Sequence, residues 1–297
     1  MTVLATEAAP AKVNLTLHVL GRRVDGYHEL QSLVAFADVC DELTATTAQS
    51  DTLIVSGPFA LGLPQGETNL VLRAIAAFRA RWPDCGIAPL GIELHKNLPV
   101  AAGLGGGSAD AAAALRLMSR LSQVPVAVSE LSALAATLGA DVPVCLLSRP
   151  AELRGVGEIV TAVRSFPDFH IVLANPLVPV VTADVFRKLA SRDNPPAPPL
   201  PQPLSRPELA LWLGETRNDM QATAIGIVPA IGELIERLGA AQGCVLARMS
   251  GSGATVFGLF GSGALAHQAA HDLRDRWPGY WVAAAPAISA GDDRPPQ

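Results

Sequence analysis

The chain has 297 residues, 49% of them apolar and 16% charged, which is enough to bury a sizeable core of one large or two medium domains without disulfides or a structural metal. A formal charge of −5 excludes the basic face of a nucleic-acid binder, while backbone amides can still hold a phosphorylated ligand locally. Cys40, Cys85, Cys145 and Cys244 form no C-x-x-C pair, no secretory pattern opens the chain, and the most apolar long stretch, 241–266, carries Arg248 and a cluster of glycines. These features predict reduced thiols in a cytoplasmic protein without a membrane span.

Residues 12–19 alternate polar and apolar at period two, which predicts a half-buried strand. Val13, Leu15, Leu17 and Val19 face the core; Lys12, Asn14, Thr16 and His18 share the other face, for which ordinary solvent exposure suffices. Asp25-Gly26 signals a turn just before Tyr27 and His28. An alanine- and leucine-rich helix is predicted over 108–121, entered directly from five residues that include four glycines. A second helix follows over 129–138, with Ser129 as N-cap and Gly139 beyond its end. Asp141 lies on a short connector, and Pro143 disfavours helix at Val142.

Past residue 160 the pattern predicts a strand over 170–174 and a short helix over 183–190. The proline-rich stretch 194–207 reads as an extended surface loop. Residues 219–238 read as helix, broken or kinked at Pro229. Strands over 244–249 and 255–260 are joined by Ser250-Gly251-Ser252-Gly253; a helix over 264–277 and a strand near 281–285 complete the chain. This order approximates a ferredoxin-like split βαβ arrangement with an extra helix. No internal repeat is visible.

The most informative segment is Pro99-Val100-Ala101-Ala102-Gly103-Leu104-Gly105-Gly106-Gly107-Ser108-Ala109-Asp110. Glycines let the backbone approach a ligand closely and adopt positive φ, and the helix that follows adds free N–H groups and the positive end of its dipole. Together they suit the phosphates of a nucleotide. A Walker A loop would need Lys-Ser or Lys-Thr after the last glycine, where this chain has Ser108-Ala109. A dinucleotide fingerprint starting at Gly103 would need glycine at 108, and so would the loop of protein kinases, whose H-R-D and D-F-G motifs are missing. His267 and His271 stand four apart, but Gln268 replaces the glutamate of H-E-x-x-H, so an exposed helix face is the reading.

Pro-x3-Gly-Leu-Gly-Gly-Gly-Ser-Ala running into a helix resembles the central phosphate-binding motif of the GHMP kinases, named for galactokinase, homoserine, mevalonate and phosphomevalonate kinases. The Lys12-x-Asn14 strand and the turn Ser250-Gly251-Ser252-Gly253-Ala254 occur in the order of that superfamily. Segments 10–15, 21–30, 138–143, 155–158, 218–219 and 249–254 extend the resemblance to its branch acting on a cytidine-diphosphate-linked polyol. Two departures stand out: Val100-Ala101-Ala102 where that branch often has Met-Gly-Gly, and the proline content of 194–207.

The resemblance implies an α+β, two-domain GHMP kinase fold. An N-terminal domain like domain 2 of ribosomal protein S5 would span 1–160, a ferredoxin-like C-terminal domain 161–290 and a tail 291–297, with the active site between the domains. It implies transfer of the γ-phosphoryl group of ATP, accompanied by Mg2+, to the 2-hydroxyl of a methylerythritol unit in non-mevalonate isoprenoid precursor biosynthesis. The expected partner is that small molecule alone, with no nucleic acid or membrane, in a monomer or weak homodimer. Lys12 and Asp141 would be catalytic, although the residues taken alone favour a plain ion pair. ATP would lie along the whole run from Pro99 to Ala109, with Asn69 and Lys96 at the adenine. Asn14, Tyr27, His28, Val156, Thr182 and Phe186 would take the substrate, with Tyr27 and Phe186 as aromatic walls; core packing is the alternative for Phe186. No dedicated metal ligand emerges. A GHMP kinase with another acceptor, or a non-catalytic nucleotide-binding relative, are the competing readings.

Overall fold

One long strand organises the N-terminal part of the computed structural model, which describes residues 2–289; the tail expected at 291–297 lies outside the described residues. Strand β1 (Val3–Asn14) and then β2 (His18–Arg22) pair antiparallel with one edge of β3 (His28–Thr47). The other edge of β3 takes β5 (Leu90–His95) and β6 (Ala151–Gly155), while β4 (Thr52–Ser56) extends the sheet beside β5 and β7 (Ile159–Ala162) beside β6. Helices α1 (Leu70–Arg81), α2 (Gly106–Leu121), α3 (Val128–Leu138) and α4 (Val142–Leu147) pack together with the sheet. The centre of this layer is α2, where Ala109 and Ala111 to Ala114 are all buried. Side chains this small let the helix backbone lie close upon β1. Phe36 and Phe78 are fully buried in the same core, each worth roughly 1.5–3 kcal/mol of removed apolar surface.

Local chemistry corrects several expectations. The strand expected over 12–19 is interrupted: β1 ends at Asn14, the amides of Leu15 and Thr16 both donate to the carbonyl of Leu33, and β2 begins at His18. Its polar face is buried rather than solvated, with Lys12 4%, Asn14 3%, Thr16 1% and His18 0% exposed. Helix α3 starts one residue early, capped by Ala127 and not by Ser129. Proline is tolerated in a first helical turn because its missing N–H would have had no partner there. Helix α4 accordingly starts at Val142 with Pro143 second, and Asp141 is its N-cap residue rather than part of a free connector.

The C-terminal part has an antiparallel four-stranded sheet of β8 (His170–Asn175), β9 (Cys244–Met249), β10 (Val256–Phe260) and β11 (Trp281–Pro286) in the order β11-β8-β10-β9. That is the ferredoxin-like order anticipated from the residues. Between the strands lie α5 (Thr182–Lys188), α6 (Arg206–Gly214), α7 (Gln221–Ile227), α8 (Ala230–Gly239) and α9 (Gly263–Arg276). Pro229 separates α7 from α8, as expected of a ring that cannot donate an N–H. In α8, Ile231, Leu234 and Leu238 recur at helical spacing and are buried. The proline-rich run is not a free surface loop. Ala197 and Leu204 are buried in the core, Trp212 Nε1 donates to the Pro198 carbonyl at 3.1 Å, and the run's end opens α6 through a Ser205–Glu208 capping box.

The two sheets are stitched together by short bridges, Leu17 with Asn218 and Ala37 with Ala287. One apolar cluster, containing Leu15, Leu33, Leu209 and Phe257, runs between them. No helix among the described residues is long and apolar enough to cross a membrane.

Candidate active site

The glycine loop is gripped from both sides by backbone. Lys12 N–H donates to the Leu104 carbonyl at 3.0 Å, and Thr255 N–H donates to the Ala102 carbonyl at 3.2 Å. Ser250 Oγ donates to the Gly103 carbonyl at 2.8 Å and accepts from Asn14 N–H at 3.0 Å. The loop, strand β1 and the turn after β9 therefore form one unit. Gly103 has φ of 76°, and a β-carbon there would stand 2.4 Å from the Ser250 carbonyl oxygen, so only glycine fits. Gly105, left-handed at φ 64°, turns the chain into α2. Gly106, Gly107 and Ser108, the first turn of that 16-residue helix, line a cavity of about 480 Å³ and bring to it the amides and dipole end that favour anions.

Lys12 and Asp141 meet at the mouth of this loop. Lys12 Nζ lies 2.7 Å from Asp141 Oδ2, the lysine side chain 5% exposed and the aspartate 38%. The ammonium is thus held by its buried stem, while the carboxylate looks into the cavity that both residues line. Asn14, two residues beyond Lys12 on the same face of β1, donates from Nδ2 to Ser32 Oγ at 2.8 Å. This places polar side chains, an ammonium and a carboxylate around one hollow.

The far end of the cavity is made of side chains from several elements. Phe186 lines that end, and His28, which does not itself line the cavity, stacks on it with the rings 4.5 Å apart and 13° from parallel. His28 Nε2 is buried with no protein partner among the described residues. Burial, and then the charges of Arg192 and Arg22, push the imidazole below its ordinary pKa, which favours the neutral ring. Val156 and Thr182 also line the cavity, and Thr182 Oγ1 lies 2.8 Å from Ser252 Oγ. Tyr27, expected as an aromatic wall, is instead 65% exposed at a hairpin tip, where its N–H donates to Asp25 Oδ1; it does not line the cavity.

The structure divides the expected nucleotide residues. Ala101, Ala102, Gly103, Gly105, Gly106, Gly107 and Ser108 line the main cavity, whereas Leu104 and Ala109 are buried as packing. Pro99 and Val100, with Ala101, line a second hollow of about 270 Å³ on the other flank of the loop, opposite Phe59, Leu177 and Val178. Asn69 caps α1, its Oδ1 accepting from Val71 N–H and its Nδ2 donating to the Pro64 carbonyl. Lys96 is buried between Asp41 and Asp110. The polar groups of Asn69 and Lys96 are therefore committed within the protein and line neither hollow. Sequence reasoning missed Ser32, Leu17 and Leu30, which line the cavity: Leu30 and Ser32 lie on β3, and Leu17, just before β2, bridges to Asn218. The turn at 250–253 is legible as a motif, and its Gly251 and Ser252 also line the cavity; its paired glycines are the signal for that.

Residues 69–149 match the family described as GHMP kinases N terminal domain, and residues 206–279 match GHMP kinases C terminal. A 4-diphosphocytidyl-2-C-methyl-D-erythritol kinase of Chelativorans sp. is 46% identical over 276 residues, 93% of this chain and 94% of that protein. One from Cereibacter sphaeroides is 49% identical over 289 residues, 96% of this chain and all of the relative. A crystal structure of 4-(cytidine 5'-diphospho)-2C-methyl-D-erythritol kinase superposes with a TM-score of 0.79 at 37% identity, covering 95% of this chain and 99% of that one. Homoserine kinase from Cytophaga hutchinsonii shares the fold alone, with a TM-score of 0.66 at 18% identity over 95% of this chain and 96% of its own.

Proposed function

This chain belongs to the 4-diphosphocytidyl-2-C-methyl-D-erythritol kinase family of GHMP kinases, and on that premise we propose that it phosphorylates the 2-hydroxyl of 4-diphosphocytidyl-2-C-methyl-D-erythritol with ATP. The products are the 2-phosphate and ADP, in the isoprenoid precursor route that does not pass through mevalonate. The observation that carries the site assignment is the Lys12–Asp141 pair, 2.7 Å apart, at the entrance to the glycine loop within one cavity.

Phosphoryl transfer demands in-line placement and relief of negative charge, with little covalent help from the protein. The triphosphate lies along the first-turn amides of α2, with its base end toward the hollow between Phe59 and Val100. The acceptor enters from the opposite side, its cytosine against the Phe186–His28 stack and its polyol beside Asn14 and Thr182. His28 Nε2, buried and without a partner among the described residues, supplies a hydrogen-bonding atom for the base edge. Asp141 orients the attacking hydroxyl and takes its proton as the P–O bond forms. Lys12 offsets charge on that oxygen and on the transferring group. Mg2+ fits this site as an ion carried by the phosphates. Among the described residues no three carboxylate, imidazole or thiol groups gather to hold one, so Ser108 and Asp141 are the side chains that would meet it. Bound there, it would neutralise phosphate charge. Asn69, Lys96 and Tyr27 have no direct part in this mechanism.

ADP release measured with the cytidyl substrate, mevalonate and homoserine in turn tests the assignment. Turnover is expected with the first alone. Turnover only with another alcohol would overturn the acceptor, and nucleotide binding without turnover on any of them would overturn catalysis.

A further inference from the structure

Beneath the glycine loop lies a buried charge cluster that the mechanism above does not use. Lys96, one residue beyond β5, sends its ammonium to Asp110 Oδ2 at 2.7 Å and to Asp41 Oδ2. Asp41 is wholly buried, and its other oxygen accepts the N–H groups of Asn97 at 2.6 Å and Leu98 at 2.8 Å. One carboxylate thus fixes the backbone just before the loop. The ammonium it holds reaches Asp110, just after the loop, on the second turn of α2. The cluster also touches the underside of the phosphate seat, since a β-carbon on Gly106 would stand 3.6 Å from Lys96 Nζ and 3.7 Å from Asp41 Oδ2.

The chemistry of the cluster suits a support rather than a ligand. A lone lysine here would be drawn to phosphate, but two carboxylates already saturate this one. Asp110 is itself buried against Lys96. Its Oδ1 is buried without a partner among the described residues. Shared among one ammonium and two carboxylates, the charge stays small enough not to repel a polyphosphate from the helix end above it.

We propose that Asp110, acting through Lys96 and Asp41, is a positioning residue for the nucleotide: it pins the two ends of the glycine loop at the spacing where the first-turn amides of α2 converge on phosphate. A glycine-rich segment left free would have to be ordered at the moment of binding, and fixing it beforehand removes that cost from the nucleotide's affinity. The proposal rests on the ATP-using reading and deepens it. It also gives Lys96 a role that requires no contact with adenine.

The test compares Asp110→Ala with Asp110→Asn in the full chain. Binding of a non-hydrolysable ATP analogue with Mg2+ is measured by calorimetry, together with KM for ATP and for the cytidyl substrate. Asp110→Ala should weaken nucleotide binding about tenfold or more, and raise KM for ATP in step, with acceptor KM within about twofold. Asp110→Asn keeps an oxygen for Lys96 and should return nucleotide affinity to within about threefold of the unmodified protein. If Asp110→Ala does not fold, Asp110→Leu, nearer in volume and equally unable to accept from Lys96, replaces it. Nucleotide affinity unchanged by removal of the carboxylate, an equal rise in both KM values, or an asparagine no better than alanine would each overturn the proposal. Nucleotide binding is read without any acceptor, so failure of the cytidyl substrate to turn over would sink the acceptor assignment and leave this test standing.

Discussion

The two ends of the cavity are built from different materials. The end proposed for the phosphates is backbone: a contiguous run of small residues, held by hydrogen bonds from β1 and from the turn between β9 and β10, with buried charges below. The end proposed for the acceptor is side chain: Val156, Thr182 and Phe186 come from separate elements, and what holds them is the ring stack of His28 on Phe186 and hydroxyl contacts at a partly open surface. A backbone site is intolerant of any added atom but indifferent to most side-chain chemistry. A side-chain site can change its ligand by substitution without disturbing the fold. The fold is compatible with wide sequence change, since homoserine kinase from Cytophaga hutchinsonii has this architecture at 18% identity.

The largest effect is expected where the two ends meet. Asp141→Asn and Lys12→Ala should each lower kcat by at least ~10²-fold, the scale of lost general-base or electrostatic assistance. Affinity for the ATP analogue should change far less. Near-normal turnover in either variant would reduce the pair to a structural ion pair. Next comes Gly103→Ala, which sets a methyl against the Ser250 carbonyl at 2.4 Å on backbone with φ 76°. Either the loop or the turn facing it must shift, so Tm should fall and nucleotide affinity drop by about tenfold or more, in keeping with the large cost of overpacking a rigid site. Gly214→Ala is the control, because nothing lies within 4 Å of the added carbon. Equal behaviour of the two alanines would refute the description of the loop as a close-packed backbone seat.

The same division governs what could be read from the residues. The phosphate end is legible because its information is local: glycines, a helix start and their spacing occupy a dozen consecutive positions. The order of the second sheet is legible too, since strand, helix and turn signals alternate cleanly after residue 160. What was hidden depends on partners far along the chain. The polar face of β1 reads as a wet surface until Asn14 N–H finds Ser250, 236 residues away, and Asn14 Nδ2 finds Ser32. Tyr27 and His28 are adjacent and equally suited to a cleft by composition, yet only His28 turns inward onto Phe186. The proline-rich run docks because Trp212, Ala197 and Leu204 bring it down to the core, a fact of packing that proline content does not carry.

A smaller effect sharpens the acceptor side. Phe186→Ala removes the ring on which His28 stacks and against which the cytosine is proposed to lie. Base–aromatic stacking is worth roughly 1–3 kcal/mol, so KM for the cytidyl substrate should rise by about tenfold or somewhat more, with KM for ATP nearly unchanged. Parallel loss of ATP affinity would show that the two ends are not separable.

The subtlest expectation concerns pH and His28. Its pKa in the folded protein lies below the ordinary 6.5, through burial and then the charges of Arg192 and Arg22. Above 6.5 the ring is neutral both in the pocket and in the unfolded chain, so it adds no pH dependence to stability there. As pH falls below 6.5 the unfolded imidazole takes up a proton before the folded one does, and the unfolded state is favoured. Below the depressed folded value the ring in the pocket protonates as well; Nε2 becomes solely a donor, and a cation faces two arginines. Stability should therefore decline on acidification through 6.5, and affinity for a cytidine nucleotide should decline further down. His28→Asn, which cannot titrate, should lack both His28 components. The difference between the two proteins, measured by urea unfolding and nucleotide binding from pH 7.5 to 5, isolates this ring from the other histidines. A difference that stays constant across that window would remove the neutral imidazole from the acceptor pocket and leave recognition of the base to shape alone.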